Sequence, residues 1–195
     1  MTAPTQTRRH VALRRTIFAV LLAICLHGVP RASAQDRPHP TEYQLKAQYL
    51  TDFGRFVKKW GSRPMPGPDE SFDICVLGQD PFGQSLDTAV RGENIGGAPL
   101  VARRIGQPLD ATGCRILFVG NSESGQLPAV VNAIGAAPVL TVSDLPDFVR
   151  QGGIIEFVRD GNRVKFEINL AVAQRVGLSL SSDLLKVARV VRRTP

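Results

Sequence analysis

Histidine is the first shortage. The 195-residue chain has three, His10, His27 and His39, all before residue 40. A Ser-His-Asp or Cys-His apparatus downstream therefore has no imidazole base. Cysteine is nearly as scarce, with Cys25, Cys75 and Cys114. Two cysteines and no histidine beyond residue 40 cannot make the usual zinc set, so no metal site is expected. No G-x-G-x-x-G follows the first strand and no G-x-x-x-x-G-K-[ST] occurs, which excludes the common nucleotide loops and leaves no cofactor motif. Acid–base chemistry needs only two carboxylates, and Asp80, Asp144 and Glu156 are available. Nothing groups them in sequence, and each has an ordinary role as a cap or surface residue. The expectation is a binding protein and not an enzyme.

Acids are missing altogether from the first 34 residues, which carry Arg8, Arg9, Arg14, Arg15 and Arg31. The formal charge of +7 drops to +2 when those five arginines are set aside. The basic balance thus belongs to one segment and gives no reason for a nucleic-acid partner. That segment has the three parts of a secretory signal: the basic stretch Arg8–Arg15, the apolar run Ile17–Leu26, and the A-x-A site Ala32-Ser33-Ala34. The apolar run is too short to span a bilayer comfortably. Cleavage after Ala34, release into the periplasm and a mature start at Gln35 are expected. Ile24 before Cys25 is too large for a typical lipid-attachment site. Export leaves Cys75 and Cys114 as an even pair in an oxidising compartment, which a disulfide would use. Two buried thiols is the alternative.

Residues 35–40 read as a flexible polar tail, and 41–192 as one domain. Thr41 with Gln44 forms a capping box. Tyr43, Ala47, Leu50, Phe53 or Gly54, Val57 and Trp60 then follow at helical spacing, a stripe that packs on a core. Tyr43, Tyr49 and Trp60 could also be read as a ligand box, but the periodicity favours packing. Phe72–Leu77, Pro99–Ile105, Cys114–Val119 and Pro138–Val142 read as strands. Between them lie a helix to about Val90, capped by Asp80 with Pro81 at its first position, and another over Leu127–Ile134. Ser143-Asp144 opens a short helix near Leu145–Val149. Asp160-Gly161 turns a hairpin whose second run alternates Val164, Phe166 and Ile168 with charged residues. Leu170–Val176 is a short helix stopped at Gly177, and Ser181-Ser182 caps a last helix through Leu184, Leu185, Val187, Ala188 and Val191. Strands alternating with helices predict an α/β fold. It is a layered Rossmann-like domain with a mixed, mostly parallel sheet and helices on both faces.

In such sheets ligands sit beyond the strand C-termini. The residues there are Asp80, Asn121, Ser122, Ser143 and Asp144, a candidate crevice. Helix capping explains the same residue types without a ligand. Lys186, Arg189, Arg192 and Arg193 crowd the chain end, where favourable placement at a helix C-terminus is the plain reading and a partner or membrane surface the other.

The ordered strings EYQLKAQYLTDFGRFVKKW, ICVLGQDPFG, CRILFVGNSES, GGIIEFV, GNRVKFEINL and VGLSLSSDLLKVARVV closely resemble the YfiR family of small periplasmic regulatory proteins. The resemblance implies a non-enzymatic regulator. Its best-known kind represses an inner-membrane diguanylate cyclase by binding the periplasmic part, lowering cyclic di-GMP and biofilm formation. The resemblance also supports a Cys75–Cys114 bridge, since a cysteine pair at these motifs recurs in the family. The family's other bridge, after the fourth strand, has no counterpart here. A homodimer is a further candidate assembly. The alternative function is a periplasmic small-molecule-binding sensor.

Overall fold

The computed structural model describes residues 40–193. The signal segment 1–34, its cleavage site and most of the 35–40 tail lie outside the described residues.

Thr41 starts helix α1 (Glu42–Phe56) as expected. Its hydroxyl accepts from Gln44 N–H, and Gln44 Oε1 accepts from Thr41 N–H. The helix stops sooner than the apolar spacing suggested. Val57–Trp60 is a strand, β1, because a pattern with apolar ends and two lysines between them suits a half-exposed strand as well as a helix. The central strands follow: β2 (Phe72–Leu77), helix α2 (Gln84–Val90), the short β3 (Asn94–Ile95), β4 (Ala98–Ile105), a 3-10 turn at Pro108–Gly113, and β5 (Ile116–Val119). A second 3-10 turn, Asn121–Gln126, leads into α3 (Leu127–Ile134), then β6 (Leu140–Ser143). The hairpin is β7 (Ile155–Asp160) and β8 (Arg163–Asn169). It is followed by α4 (Leu170–Arg175), β9 (Leu178–Leu180), α5 (Ser182–Val187) and β10 (Val190–Arg192).

Eight strands form one sheet in the order β10-β8-β7-β6-β5-β2-β4-β3; β1 and β9 pair separately. Neighbours are parallel except β7–β8 and β3–β4. The sheet is therefore mixed and mostly parallel, with α/β layering. Period-two alternation divides its side chains between two cores. Ile74, Val76, Ile116, Phe118, Leu140 and Val142 face α1 and α2. Cys75, Leu77, Leu117 and Val119 face α3 and Phe148 on the opposite side. Each fully buried Leu, Ile or Phe contributes roughly 1.5–3 kcal/mol. Aromatic packing fills the first core: Phe53 lies edge-on to Phe166 at 5.1 Å, and Tyr49 sits among Phe53, Phe157 and Phe166. Tyr49 and Trp60 are packing residues, Trp60 lying against Phe72.

Four local expectations need correction. Asp80 does not cap α2. Its Oδ1 accepts from Phe82 N–H two residues on, an Asx turn, and the helix begins only after Gly83. Residues 145–152 form turns and no helix, because this stretch folds around the Glu156 carboxylate. The hairpin turns on Gly161-Asn162, with Asp160 paired to Arg163 and Gly161 at φ +59°. The last helix ends at Val187, and Val190–Arg192 lies as a parallel strand beside β8, where Val191 finds its apolar cover.

Cys75 and Cys114 are joined by a disulfide with the Cα atoms 6.0 Å apart. Cys75 is central in β2, while Cys114 ends the 3-10 turn just before β5 rather than lying in it. The bridge ties that turn to the sheet.

Candidate functional site

The strand order reverses around β2, which has β4 on one side and β5 on the other. A crevice is expected at such a switch point. Here the two loops above it are stitched together. Gly120 N–H donates to Leu77 O at 2.9 Å and Gln79 N–H to Ser122 Oγ at 2.9 Å. Ser122 in turn donates to Glu123 Oε1. Asp80 turns away toward β4, where Arg104 holds it at 2.9 Å. Ser143 is fully buried; it donates to Val119 O at 2.7 Å and accepts from Leu145 N–H at 3.1 Å, so it joins β5 to the chain leaving β6.

The structure does bring Asn121 and Asp144 together, one strand over. They line a cleft of about 320 Å³ with Glu42, Lys46, Glu156 and Arg159. Helix α1 supplies Glu42 and Lys46 one turn apart. The β6–β7 register, with Ser143 beside Glu156, brings Asp144 up to the middle of β7. Asp144 is the hub. Its side chain is 7% exposed, and Oδ2 accepts from Lys46 Nζ at 2.7 Å and from Tyr43 OH at 3.0 Å. Its Oδ1 is buried with no hydrogen-bond partner among the described residues. Lys46 is itself buried, pairs also with Glu42 at 2.7 Å, and stands 4.6 Å from the centre of the Tyr43 ring. Arg159 reaches Glu42 at 3.6 Å. Burial, the bond to Asp144 and the charges of Asp144 and Glu42 together push the Tyr43 hydroxyl up to about 12, so it donates and does not ionise.

Sequence reasoning missed Lys46, Glu42 and Arg159 as members of this group, and weighed Tyr43 only in a ligand box with Tyr49 and Trp60, two residues that the structure places in the aromatic core instead. The signal available was a lysine inside the apolar stripe of α1, one position before Ala47. Glu156, weighed only as an isolated acid, is 8% exposed and accepts from the N–H groups of Asp147 and Val149, both at 3.2 Å. Burial raises its pKa first of all; the two backbone bonds oppose the shift, and the charges of Glu167 and Asp147 add to it. Asp147 has φ +60°, the one non-glycine residue described in the left-handed region. Among the described residues no group of His, Cys, Asp or Glu is set to hold a metal, and no helix is long and apolar enough to cross a membrane.

The match to a known family now decides what this arrangement belongs to. A YfiR/HmsC-like family model covers residues 43–189. The chain belongs to the YfiR/HmsC-like family. At the level of that family the membership supports a periplasmic regulator of cyclic di-GMP signalling, and the disulfide fits an oxidising compartment. Two solved structures share the fold of this YfiR/HmsC-like chain. A conserved domain protein from Vibrio cholerae O1 biovar El Tor superposes with a TM-score of 0.54 at 12% identity, over 78% of this chain. The ABC domain from Streptococcus pneumoniae, solved in complex with L-Trp, gives 0.50 at 14% identity over 74% of this chain. The matches cover 60% of each of those longer chains.

Proposed function

We propose that this protein is a periplasmic, non-enzymatic regulator that represses an inner-membrane diguanylate cyclase by binding its periplasmic region. The observation that carries the reading is the family match over residues 43–189. The chemistry of the described residues agrees with it. The buried charges around Asp144 are paired with one another through Lys46 and Glu42, and no histidine lies beyond residue 39. Export through the 1–34 segment, with cleavage after Ala34, brings the domain to the outer face of the inner membrane. Repression is then allosteric: binding one conformation of the cyclase's sensor shifts it from the active cytoplasmic arrangement by the difference in affinity for the two states. A coupling of roughly 1–3 kcal/mol changes output some 5- to 150-fold. Deleting the gene is expected to raise cyclic di-GMP and surface attachment, and an exported copy to restore both. Unchanged cyclic di-GMP in the deletion strain across several growth conditions would remove the cyclase from this reading.

A second reading, a small-molecule sensor, is favoured by one observation. Asp144 Oδ1 is unpaired at the wall of the cleft that also holds Asn121 and Arg159. Mass spectrometry of material released on denaturing protein purified from the periplasm tests it, and a stoichiometric small molecule is the supporting result.

A further inference from the structure

The two ends of the eight-stranded sheet are finished differently. At one end β3 is only two residues long and covers only Ala98 and Pro99 of β4, and the β4 arginines beyond it are tied down. Arg103 pairs with Asp73 at 2.8 Å, and Arg104 pairs with Asp80 at 2.9 Å and Asp87 at 2.5 Å. Charged side chains fixed on an edge strand keep other strands away. At the β10 end the arginines are loosely held. Arg189 and Arg192 share one carboxylate, Glu167, at 3.7 and 3.5 Å. The Nε of Arg192 is buried without a partner among the described residues. Arg193 is exposed and makes no ion pair among them.

The backbone of β10 is open on the same side. Arg189 N–H donates to Phe166 O at 2.8 Å, and β10 continues parallel to β8 with Val190 opposite Glu167 and Arg192 opposite Asn169. In a parallel ladder alternate residues bond to the same neighbour. Arg189 and Val191 therefore face β8, while Val190 and Arg192 present N–H and C=O outward, with no described strand beyond. A cleft of about 430 Å³ lies at the C-terminal end of β8 and β10, lined by Val149, Arg150, Asn169 and β10 through Arg193 and by no acid; Arg150 is held from outside it by Asp147 at 3.3 Å, an exposed pair. Val187, at the end of α5, is 63% exposed.

We infer that the outer edge of β10 is a docking strand for an extended acidic segment of a partner protein. The segment adds to the sheet through Val190 and Arg192, sets its acids against Arg150, Arg192 and Arg193, and lays an apolar side chain on Val187. The inference rests on the regulator reading and names its contact surface. A second copy is the poorer occupant. Pairing β10 with itself brings Arg192 and Arg193 of both copies together, and like charges across strands are destabilising.

The test uses the full mature chain with its disulfide and a fluorescein-labelled hexapeptide of alternating glutamate and valine. A companion peptide carries lysine for glutamate. By anisotropy the glutamate peptide binds and the lysine peptide does not. Affinity falls about tenfold or more in Arg193→Glu, which reverses a charge facing the acids. It falls similarly in Val190→Pro, which removes an outward N–H and no bond to β8. Thermal denaturation checks that both variants stay folded. Absent binding, equal binding of the lysine peptide, or unchanged affinity in Val190→Pro overturns the inference. So does sedimentation of the wild type as a dimer that Arg193→Glu dissolves, because the occupant is then a second copy. In a deletion strain, Arg193→Glu exported at the wild-type level should fail to lower cyclic di-GMP. If it lowers it normally, the surface is wrong and the regulator reading stands. If the deletion itself changes nothing, the regulator reading falls and the peptide result decides the surface.

Discussion

Glu156 on β7 faces Glu167 on β8 directly across the antiparallel pair. Two carboxylates in that position repel, and the fold holds them by different means. Glu167 has Arg189 and Arg192; Glu156 has only the N–H groups of Asp147 and Val149. Glu156 is the acid that burial and its neighbours lift above the ordinary glutamate value of 4.5.

The sign of the pH effect follows. An acid whose pKa is raised on folding holds its proton more tightly in the native state. Its contribution is fully present below the unfolded value and is lost as pH rises through the folded one. The stability of the wild type relative to Glu156→Gln, which cannot titrate, should therefore be greatest in acid. It should decline as pH climbs from about 4.5 and level off above the raised value. Urea denaturation of both proteins between about pH 4 and pH 8 measures the difference. A difference constant with pH would sink the assignment.

Much of this fold was legible because its signals are local. Thr41 and Gln44 are three residues apart and make their box unaided. Phe72–Leu77 and Leu127–Ile134 were read with the limits the structure has. What was missed depends on partners distant in sequence. β1 and β9 are short strands that exist because Val57 and Trp60 meet Leu180 and Leu178, and neither run declares its partner. In sequence β10 reads as part of the last helix, since Val191 fits a three-to-four spacing as well as an edge. The candidate site was half legible. Asn121 and Asp144 follow strands and so were visible, but Lys46 lies 98 residues from Asp144 and only the fold makes them a pair. Asp80 reads as a cap in sequence because a cap and an Asx turn use the same carboxylate in the same way.

Gly153 is required by contact rather than by φ. A Cβ there would lie 2.1 Å from the Phe148 ring, which fills the second core and is fully buried. Gly153→Ala should destabilise by about 1–3 kcal/mol, the usual cost of overpacking. Phe148→Leu in the same chain should recover part of that loss. A double-mutant cycle in urea reads the coupling, and two additive changes would show that ring and glycine do not compete for this space.

The Cys75–Cys114 bridge closes a loop with a sequence separation of 39. For such a loop the chain-entropy model gives about 4 kcal/mol at 25 °C. Replacing both cysteines by alanine should cost about 2–4 kcal/mol and lower Tm, with the sheet retained by circular dichroism. Thiol titration of the denatured, unreduced wild type should find no free cysteine among Cys75 and Cys114. Two free thiols there would contradict the bridge.

Lys46 and Asp144 are the pair whose separation should be costliest. Their side chains are 4% and 7% exposed, and they meet at 2.7 Å. A buried ion pair need not add net stability, since both charges lose water, but removing one partner strands the other. Lys46→Met leaves the Asp144 carboxylate with only Tyr43, and Asp144→Asn leaves Lys46 with only Glu42. Each single change should destabilise by about 3–5 kcal/mol. The pair Lys46→Met with Asp144→Leu removes both charges and should be less destabilising than the two single losses added together. Tyr43 then loses the acceptor that helps hold its hydroxyl up at about 12, so in the double variant its ultraviolet titration should move toward the ordinary tyrosine range. Single variants near wild-type stability would show that Lys46 and Asp144 stay hydrated. A Tyr43 titration unchanged in the double variant would leave burial and the charge of Glu42 as the causes of its shift.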